Sequence, residues 1–318
     1  MATRTIRPTD LLALASFARR GYCNEAKTRR DFAAPASLPT PLPELARQWL
    51  FARTRRLTCI AVDGGQALGL ASGRRRGGHS TWEVDRLLLP LENRVPRVCT
   101  DLLDHLVESA GTRGVHKIFL RLREDSDILF AAQQAGFFPY KSETLFVLHQ
   151  GSRASDSANG NVAWIVRPKV VADHASLFRL YSATVPAPVR EVEALTLQEW
   201  LANRDGADGA RFRRELVAEK DGALAAWLQS VSVGGNQHLD ILALLDAGIN
   251  LQALLEMGLR QVNGGPVVYC LVPDYLGSLQ SILLECGYDE VARFRSLAKQ
   301  LAARARQSFL VPAGMRSL

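Results

Sequence analysis

Leu129 to Tyr140 reads LFAAQQAGFFPY, and Leu279 to Glu290 reads LQSILLECGYDE. Each is a short apolar helix pattern that runs into a glycine followed by an aromatic residue. Aligning Gly136-Phe137 on Gly287-Tyr288 gives a separation of 151 residues, and other landmarks recur at nearly the same interval. Ile6-Arg7-Pro8 returns as Val166-Arg167-Pro168 after 160 residues, and the Asp-Gly turn of AVDGGQALGLASG (from Ala61) returns in AEKDGALAAWLQS (from Ala218) after 157. WEVDRLLLP, Trp82 to Pro90, returns as HLDILALLD, His238 to Asp246, after 156. Four landmarks in one order at one spacing mark a tandem duplication, because isolated resemblances between hydrophobic helices would not keep register.

Length and punctuation support this division. A chain of 318 residues suits two domains of ordinary size. The small, polar stretch GSRASDSANGN has no run of apolar residues and reads as a linker. The expected domains are residues 1–150 and 162–318, joined by 151–161. The 47% hydrophobic and 22% charged composition is that of an ordinary globular protein. No apolar run approaches a membrane span, and the start MATRTIRPTD has no signal-peptide core, so the expected location is cytoplasmic.

The five cysteines, Cys23, Cys59, Cys99, Cys270 and Cys286, include no CxxC pair, and no His-x-x-x-His pair exists. Neither a disulfide framework nor a metal site is indicated. The net charge of +7 resides in residues 1–150, which carry 22 Lys+Arg against 15 Asp+Glu, while residues 151–318 carry 17 of each. That surplus suits an anionic ligand or simply a solvated surface. Its densest cluster, Arg74-Arg75-Arg76, lies in a glycine-flanked loop with no interleaved aromatics, which argues against nucleic acid.

Periodicity and turn chemistry predict the order β-α-α-β-β-β-α-β-α-β in each half. In the first half TRTIRP is a strand, DLLALASFARR a helix with Asp10 as N-cap, and LPELARQWLFARTR a second helix. TCIAVD and ALGLAS form a hairpin about Asp63-Gly64-Gly65, and WEVDRLLL is the next strand. The helix RVCTDLLDHLVESAGTRG, the strand KIFLRL, the opening helix and the strand ETLFVL complete the half. The second half runs through the same order from WIVRP to RFRSLAKQL.

This order, the paired Gly-aromatic signature and the Arg-Pro start resemble the GNAT N-acetyltransferase superfamily, once per half. The resemblance implies an α/β (α+β) fold of two tandem GNAT-like domains, each a mixed, mostly antiparallel central sheet flanked by helices. It also implies a cleft between splayed strands for acetyl-CoA, used as a substrate, and a small-molecule or protein amine as acceptor.

Family members hold the CoA pyrophosphate on a Q/R-x-x-G-x-G/A turn, where glycines let backbone N–H groups reach phosphate at a helix N-terminus. The first half aligns Arg94-Val95-Pro96-Arg97-Val98-Cys99 there, and the second Asp246-Ala247-Gly248-Ile249-Asn250-Leu251. The candidate cofactor residues are therefore Arg94, Arg97, Val98 and Cys99, or Gly248, Ile249 and Asn250. The first turn has cations but no glycines, and the second has room but no cation of its own. On charge the first is favoured, with Arg74 to Arg76 close by in sequence.

The tyrosine acid that many family members place four residues before the Gly of the pair is replaced by Ala132 and Leu283. Tyr275 is an alternative proton donor, or else a ring packed on the surface. Glu83 and Asp85 alternate on one strand and share a face, so either is a candidate general base if that face lines the cleft. Asp240 falls on the opposite parity in this alignment. Two readings stand: an N-acyltransferase with degenerate motifs, and a catalytically silent GNAT-fold protein used for binding or assembly.

Overall fold

The computed structural model describes residues 1–33, 56–76, 80–91, 96–149, 164–203, 212–233, 236–260 and 267–301. The helix expected over 42–55 and the linker 151–161 lie outside them. In chain order the first half contains β1 (Ala2–Thr5), a 3-10 turn Pro8–Asp10, α1 (Leu11–Arg19), β2 (Tyr22–Asn24) and α2 (Arg29–Ala33). It continues with β3 (Arg56–Asp63), β4 (Gln66–Arg75), β5 (Thr81–Pro90), α3 (Pro96–Gly111), β6 (Lys117–Arg123), α4 (Leu129–Gln134) and β7 (Phe138–His149). The second half contains β8 (Ile165–Pro168), a 3-10 turn Val171–Asp173, α5 (His174–Thr184), α6 (Ala187–Glu193), α7 (Leu197–Asn203), β9 (Phe212–Lys220) and β10 (Ala223–Val233). It ends with β11 (Asn236–Ala243), α8 (Leu251–Arg260), β12 (Val267–Pro273), α9 (Gly277–Glu285) and β13 (Asp289–Gln300).

The strands form one sheet in the order β1-β3-β4-β5-β6-β13-β7-β12-β11-β10-β9-β8, with β2 paired to β5 off this path. Among the described residues only β5–β6 and β11–β12 are parallel pairs. Helices cover both faces. The sheet packs against α3 and α4 in the first half and against α8 and α9 in the second, with α1 and α5 on the opposite face. The order is symmetric about the central β13–β7 pair, and that pair is exchanged: β13 lies beside β6, and β7 beside β12. Each half therefore completes the other's sheet. Leu297 of β13 is fully buried in the first half's core, and Phe146 and Leu148 of β7 lie in the second's.

The duplication reaches individual side chains. Arg4 clasps Asp10 through two hydrogen bonds of 2.5 and 2.6 Å, and Arg167 clasps Asp173 through two of 2.8 Å. In each turn the carboxylate also accepts a backbone N–H three residues back, from Arg7 or Val170, at 2.7 Å. These clasps correct two expectations. Asp10 secures the 3-10 turn before α1 and makes no side-chain cap on the helix itself. The counterpart of Arg167 is Arg4 rather than Arg7, because the repeated unit is the arginine-carboxylate pair and not the Arg-Pro dipeptide.

The Gly-aromatic pairs end their helices in left-handed caps. Gly136 has φ +76° and Gly287 φ +83°. The next N–H, of Phe137 or Tyr288, returns to the carbonyl of Ala132 or Leu283 at 3.1 and 3.0 Å. This is the Schellman arrangement, and it turns the aromatic ring directly into the core. A valine at either glycine would carry a branched Cβ at positive φ, and a Cβ at Gly136 would also sit 3.2 Å from Cε of Lys299. We expect Gly136→Val and Gly287→Val each to cost about 1–3 kcal/mol, read as a lowered thermal midpoint. An unchanged midpoint would show that the caps are not structural.

Candidate functional site

Two clefts arise where the parallel strands part. β5 and β6 pair only through Thr81, Trp82 and Glu83, and β11 and β12 only through Gln237, His238 and Leu239. Beyond these points the strands diverge toward their carboxyl ends.

The first cleft is filled by the chain itself. Tyr22, Cys23 and Asn24 pair antiparallel with Pro90, Leu89 and Leu88. The Glu25 N–H then donates to Leu87 O and the Lys27 N–H to Arg121 O, both at 2.9 Å. One segment thus bonds to both walls. The Asn24 side chain completes the seam, accepting the Leu87 N–H at 2.9 Å and donating to Asp85 O at 3.3 Å. Ala26, fully buried, fills the floor.

The candidate residues of this half belong to packing and ion pairs. Glu83 is held by Arg74 at 2.5 Å and Asp85 by Arg56 at 2.6 Å. They share a face as expected, but on it each carboxylate is already matched with a guanidinium. Arg97 is exposed on the first turn of α3, while Val98 and Cys99 face the sheet inside the core. Burial pushes the Cys99 thiol up to about 12. The helical period explains this placement: Val98, Cys99, Leu102, Leu103 and Leu106 form one stripe of α3, so these two residues point away from any phosphate. Arg94 lies outside the described residues.

The second cleft differs at each of these points. Among the described residues no strand pairs with β11 on its β12 side beyond Leu239. The turn expected to meet phosphate in this half runs through Gly248, at φ +63°, into α8, where the Asn250 side chain accepts the Ala253 N–H at 3.0 Å. Ile249 packs against the second core. The cation that this turn lacks in sequence comes from the end of β9, where Lys220 Nζ donates to Ala247 O at 2.7 Å. A Cβ on Gly248 would lie 2.9 Å from that nitrogen, so the glycine permits both the turn and the approach of the ammonium. Lys220 was invisible to a reading that searched for a cation only within the turn.

At the head of the second cleft a cavity of about 150 Å³ opens between the halves. Asp240, Ile241 and Leu242 of β11, Leu271 and Pro273 of β12, and Tyr275 form its second-half wall. The first half contributes Arg29, Arg76, Phe119 and Lys141. Burial raises the Tyr275 phenol well above its ordinary pKa despite the nearby Lys141 ammonium, so the hydroxyl keeps its proton. Tyr275 is therefore brought to the cavity, whereas Glu83 and Asp85 lie in the other half.

Beneath the cavity lies a buried ionic network that sequence reasoning missed. Lys141 sits 2.7 Å from Glu193 and 3.1 Å from Glu143, and Arg121 bonds Glu143 at 2.8 Å. Ser296 of the exchanged β13 donates to the same carboxylate. The available signal was a Lys and a Glu two apart on one strand, hence on one face. The parallel register also corrects the strand alignment by one residue. Trp82 pairs with Ile118 and Gln237 with Val268, which sets Asp240 opposite Asp85 rather than on the other parity. Asp240 forms an ion pair with Arg29 and lies 3.3 Å from His238 Nε2.

No protein-family model matches this sequence, and no curated protein sequence matches it. Solved structures do. The chain resembles a tandem GNAT protein from the clavulanic acid biosynthesis pathway, with 16% identity, 94% of this chain and 98% of that one covered, and a TM-score of 0.52. It also resembles a GCN5-related N-acetyltransferase from Sphaerobacter thermophilus, with 16% identity, coverage of 94% and 95%, and a TM-score of 0.59. Another from Kribbella flavida aligns at 13% identity over 82% and 96%, with a TM-score of 0.50. The fold is the GNAT acetyltransferase fold, present twice in tandem.

Proposed function

We propose that this protein is an acyl-CoA-dependent N-acyltransferase, using acetyl-CoA, with one working cleft, that between β11 and β12. The observation that carries this reading is the contrast between the two clefts. The first is bonded shut by Tyr22 to Lys27, while the second keeps a glycine turn, a lysine at that turn and a protonated tyrosine at its head. This reverses the preference that charge alone gave to the first turn.

The residues of the second cleft fit acetyl-CoA. Lys220, the backbone around Gly248 and the positive end of α8 suit a pyrophosphate. Bound there, the cofactor would supply an activated acyl group and would need a proton on its departing sulfur. Tyr275 holds that proton. Asp240, on the cavity wall between Arg29 and His238, would have to leave its pair with Arg29 to take the amine's proton, and it is the carboxylate nearest the cavity on β11.

Acetyl-CoA should raise the thermal midpoint in proportion to mass action. Lys220→Ala should weaken its binding about tenfold, ~1.4 kcal/mol, while Arg97→Ala leaves it unchanged. Tyr275→Phe should lower kcat by about a hundredfold with acetyl-CoA affinity retained. One feature favours the silent alternative: Ala132 and Leu283, at the usual acid positions, are fully buried and apolar. The absence of any thermal shift with acetyl-CoA would decide for that alternative.

A further inference from the structure

The register of β10 on β11 divides the cavity between the halves into a polar end and an apolar end. Gln229 stands opposite Asp240, and two residues along Trp227 stands opposite Leu242; all four line the cavity. Two such positions share one face of a strand about 7 Å apart, so a molecule of that length meets both ends. The charged groups of the polar end are matched with partners of their own. Arg29 pairs with Asp240, Lys141 with Glu193 at 2.7 Å, and the Arg76 guanidinium stacks 4.4 Å from the centre of the Phe119 ring. A ligand carboxylate would have to displace one of these partners and would gain no more than it removed. The apolar end has the opposite character. Tyr181, Trp200, Trp227 and Leu242, from α5, α7, β10 and β11, belong to one cluster, with the Tyr181 and Trp200 ring centroids 5.9 Å apart. Val185 and Ala194 complete that side of the lining. A cavity of about 150 Å³ is the size that holds one benzene ring.

We propose that the acceptor is a primary amine joined by a short tether to one apolar ring and carrying no second charge, the ring lying on Tyr181, Trp200, Trp227 and Leu242 and the nitrogen at Asp240. This rests on the cavity being the acceptor site of the second cleft. Transfer of the ring from water to the aromatic wall supplies the affinity. At the other end the ammonium exchanges with Arg29 at Asp240, so one cation replaces another and the pairing stays balanced. Acceptor choice then belongs to α5 and α7, the helices ahead of the β9–β10 hairpin, which bring Tyr181 and Trp200 to the wall.

Calorimetry on the full chain without CoA tests the proposal with three probes: 2-phenylethylamine, ethylamine and phenylalanine. 2-Phenylethylamine should bind at least tenfold more tightly than ethylamine, and phenylalanine, which adds a carboxylate, no more tightly than 2-phenylethylamine. Tyr181→Phe keeps the ring and should preserve the tenfold margin; the hydroxyl it removes has no hydrogen-bond partner among the described residues. Tyr181→Leu takes ring area from the wall and should cut the margin severalfold. Equal binding of ethylamine and 2-phenylethylamine, tighter binding of phenylalanine, or binding of none of the three overturns the proposal, as does an undiminished margin in a folded Tyr181→Leu protein. The probe series on the native chain decides the matter even where that variant does not fold. A thermal shift with acetyl-CoA, measured separately, keeps the outcomes apart: a shift without ring selectivity defeats this inference alone.

Discussion

A chain ending at Tyr288, just before β13, is expected to lose the cooperative fold of its first half as well as that of the half it was cut from. β13 pairs with β6 from Phe294–Arg123 to Gln300–Lys117, and with β7 from Asp289 to Ala298. Without it β6 becomes an exposed sheet edge in the middle of the molecule, and the first core loses Leu297. The smaller change Leu297→Ala should cost about 2–5 kcal/mol, the scale for emptying a buried leucine site. Thermal melting followed by circular dichroism and limited proteolysis checks both. A sharp, native-like transition from the first half of the shortened chain would show that the exchange is dispensable. The same exchange places Lys141 and Ser296 side by side, so the truncation also removes one edge of the ionic network beneath the cavity.

What the sequence made legible follows from what each signal is. Recurrence of the Gly-aromatic pair, the two hairpins and the long helices was readable because local chemistry dictates them: the hairpin loops need consecutive left-handed residues, found at Gly64-Gly65 and Asp221-Gly222. The exchange of β7 and β13 was not readable, because either strand satisfies either slot in pattern and only the packed sheet distinguishes them. Nor was β2. YCN has no strand period of its own and is extended because the parted edge of β5 offers unpaired backbone groups. That one unread segment closed the first cleft and shifted the functional assignment to the second. Tyr275 was named from its place beside the Gly-aromatic helix, and it lies on the cavity wall. Lys220 and Arg29 were missed because they reach their sites from distant parts of the chain.

Removing the Glu143 carboxylate should be the most damaging single polar change in the protein. Its side chain is fully buried at the central strands, between Arg121 and Lys141. Burial by itself would raise its pKa, but the guanidinium and the ammonium outweigh that and hold it well below the usual range. Burial likewise opposes the Lys141 charge, and Glu143 and Glu193 overcome it. Glu143→Gln leaves both cations in place with one carboxylate fewer, and the expected cost is about 3–5 kcal/mol at neutral pH. The linkage has a definite sign. A depressed carboxylate pKa gives stability that is fully present above the unfolded value, about 4.3, and is lost as pH falls toward the folded one. The stability difference between the native protein and Glu143→Gln, measured by denaturant unfolding, should therefore narrow on acidification below about pH 4. Glu193, also lowered because Lys141 and Arg76 outweigh its burial, remains in both proteins, but Glu143 raises its pKa, so the substitution lowers it further and offsets part of the narrowing. A difference independent of pH across that window would mean that Glu143 contributes by shape and hydrogen bonding, and that its charge does not hold the exchanged strands together.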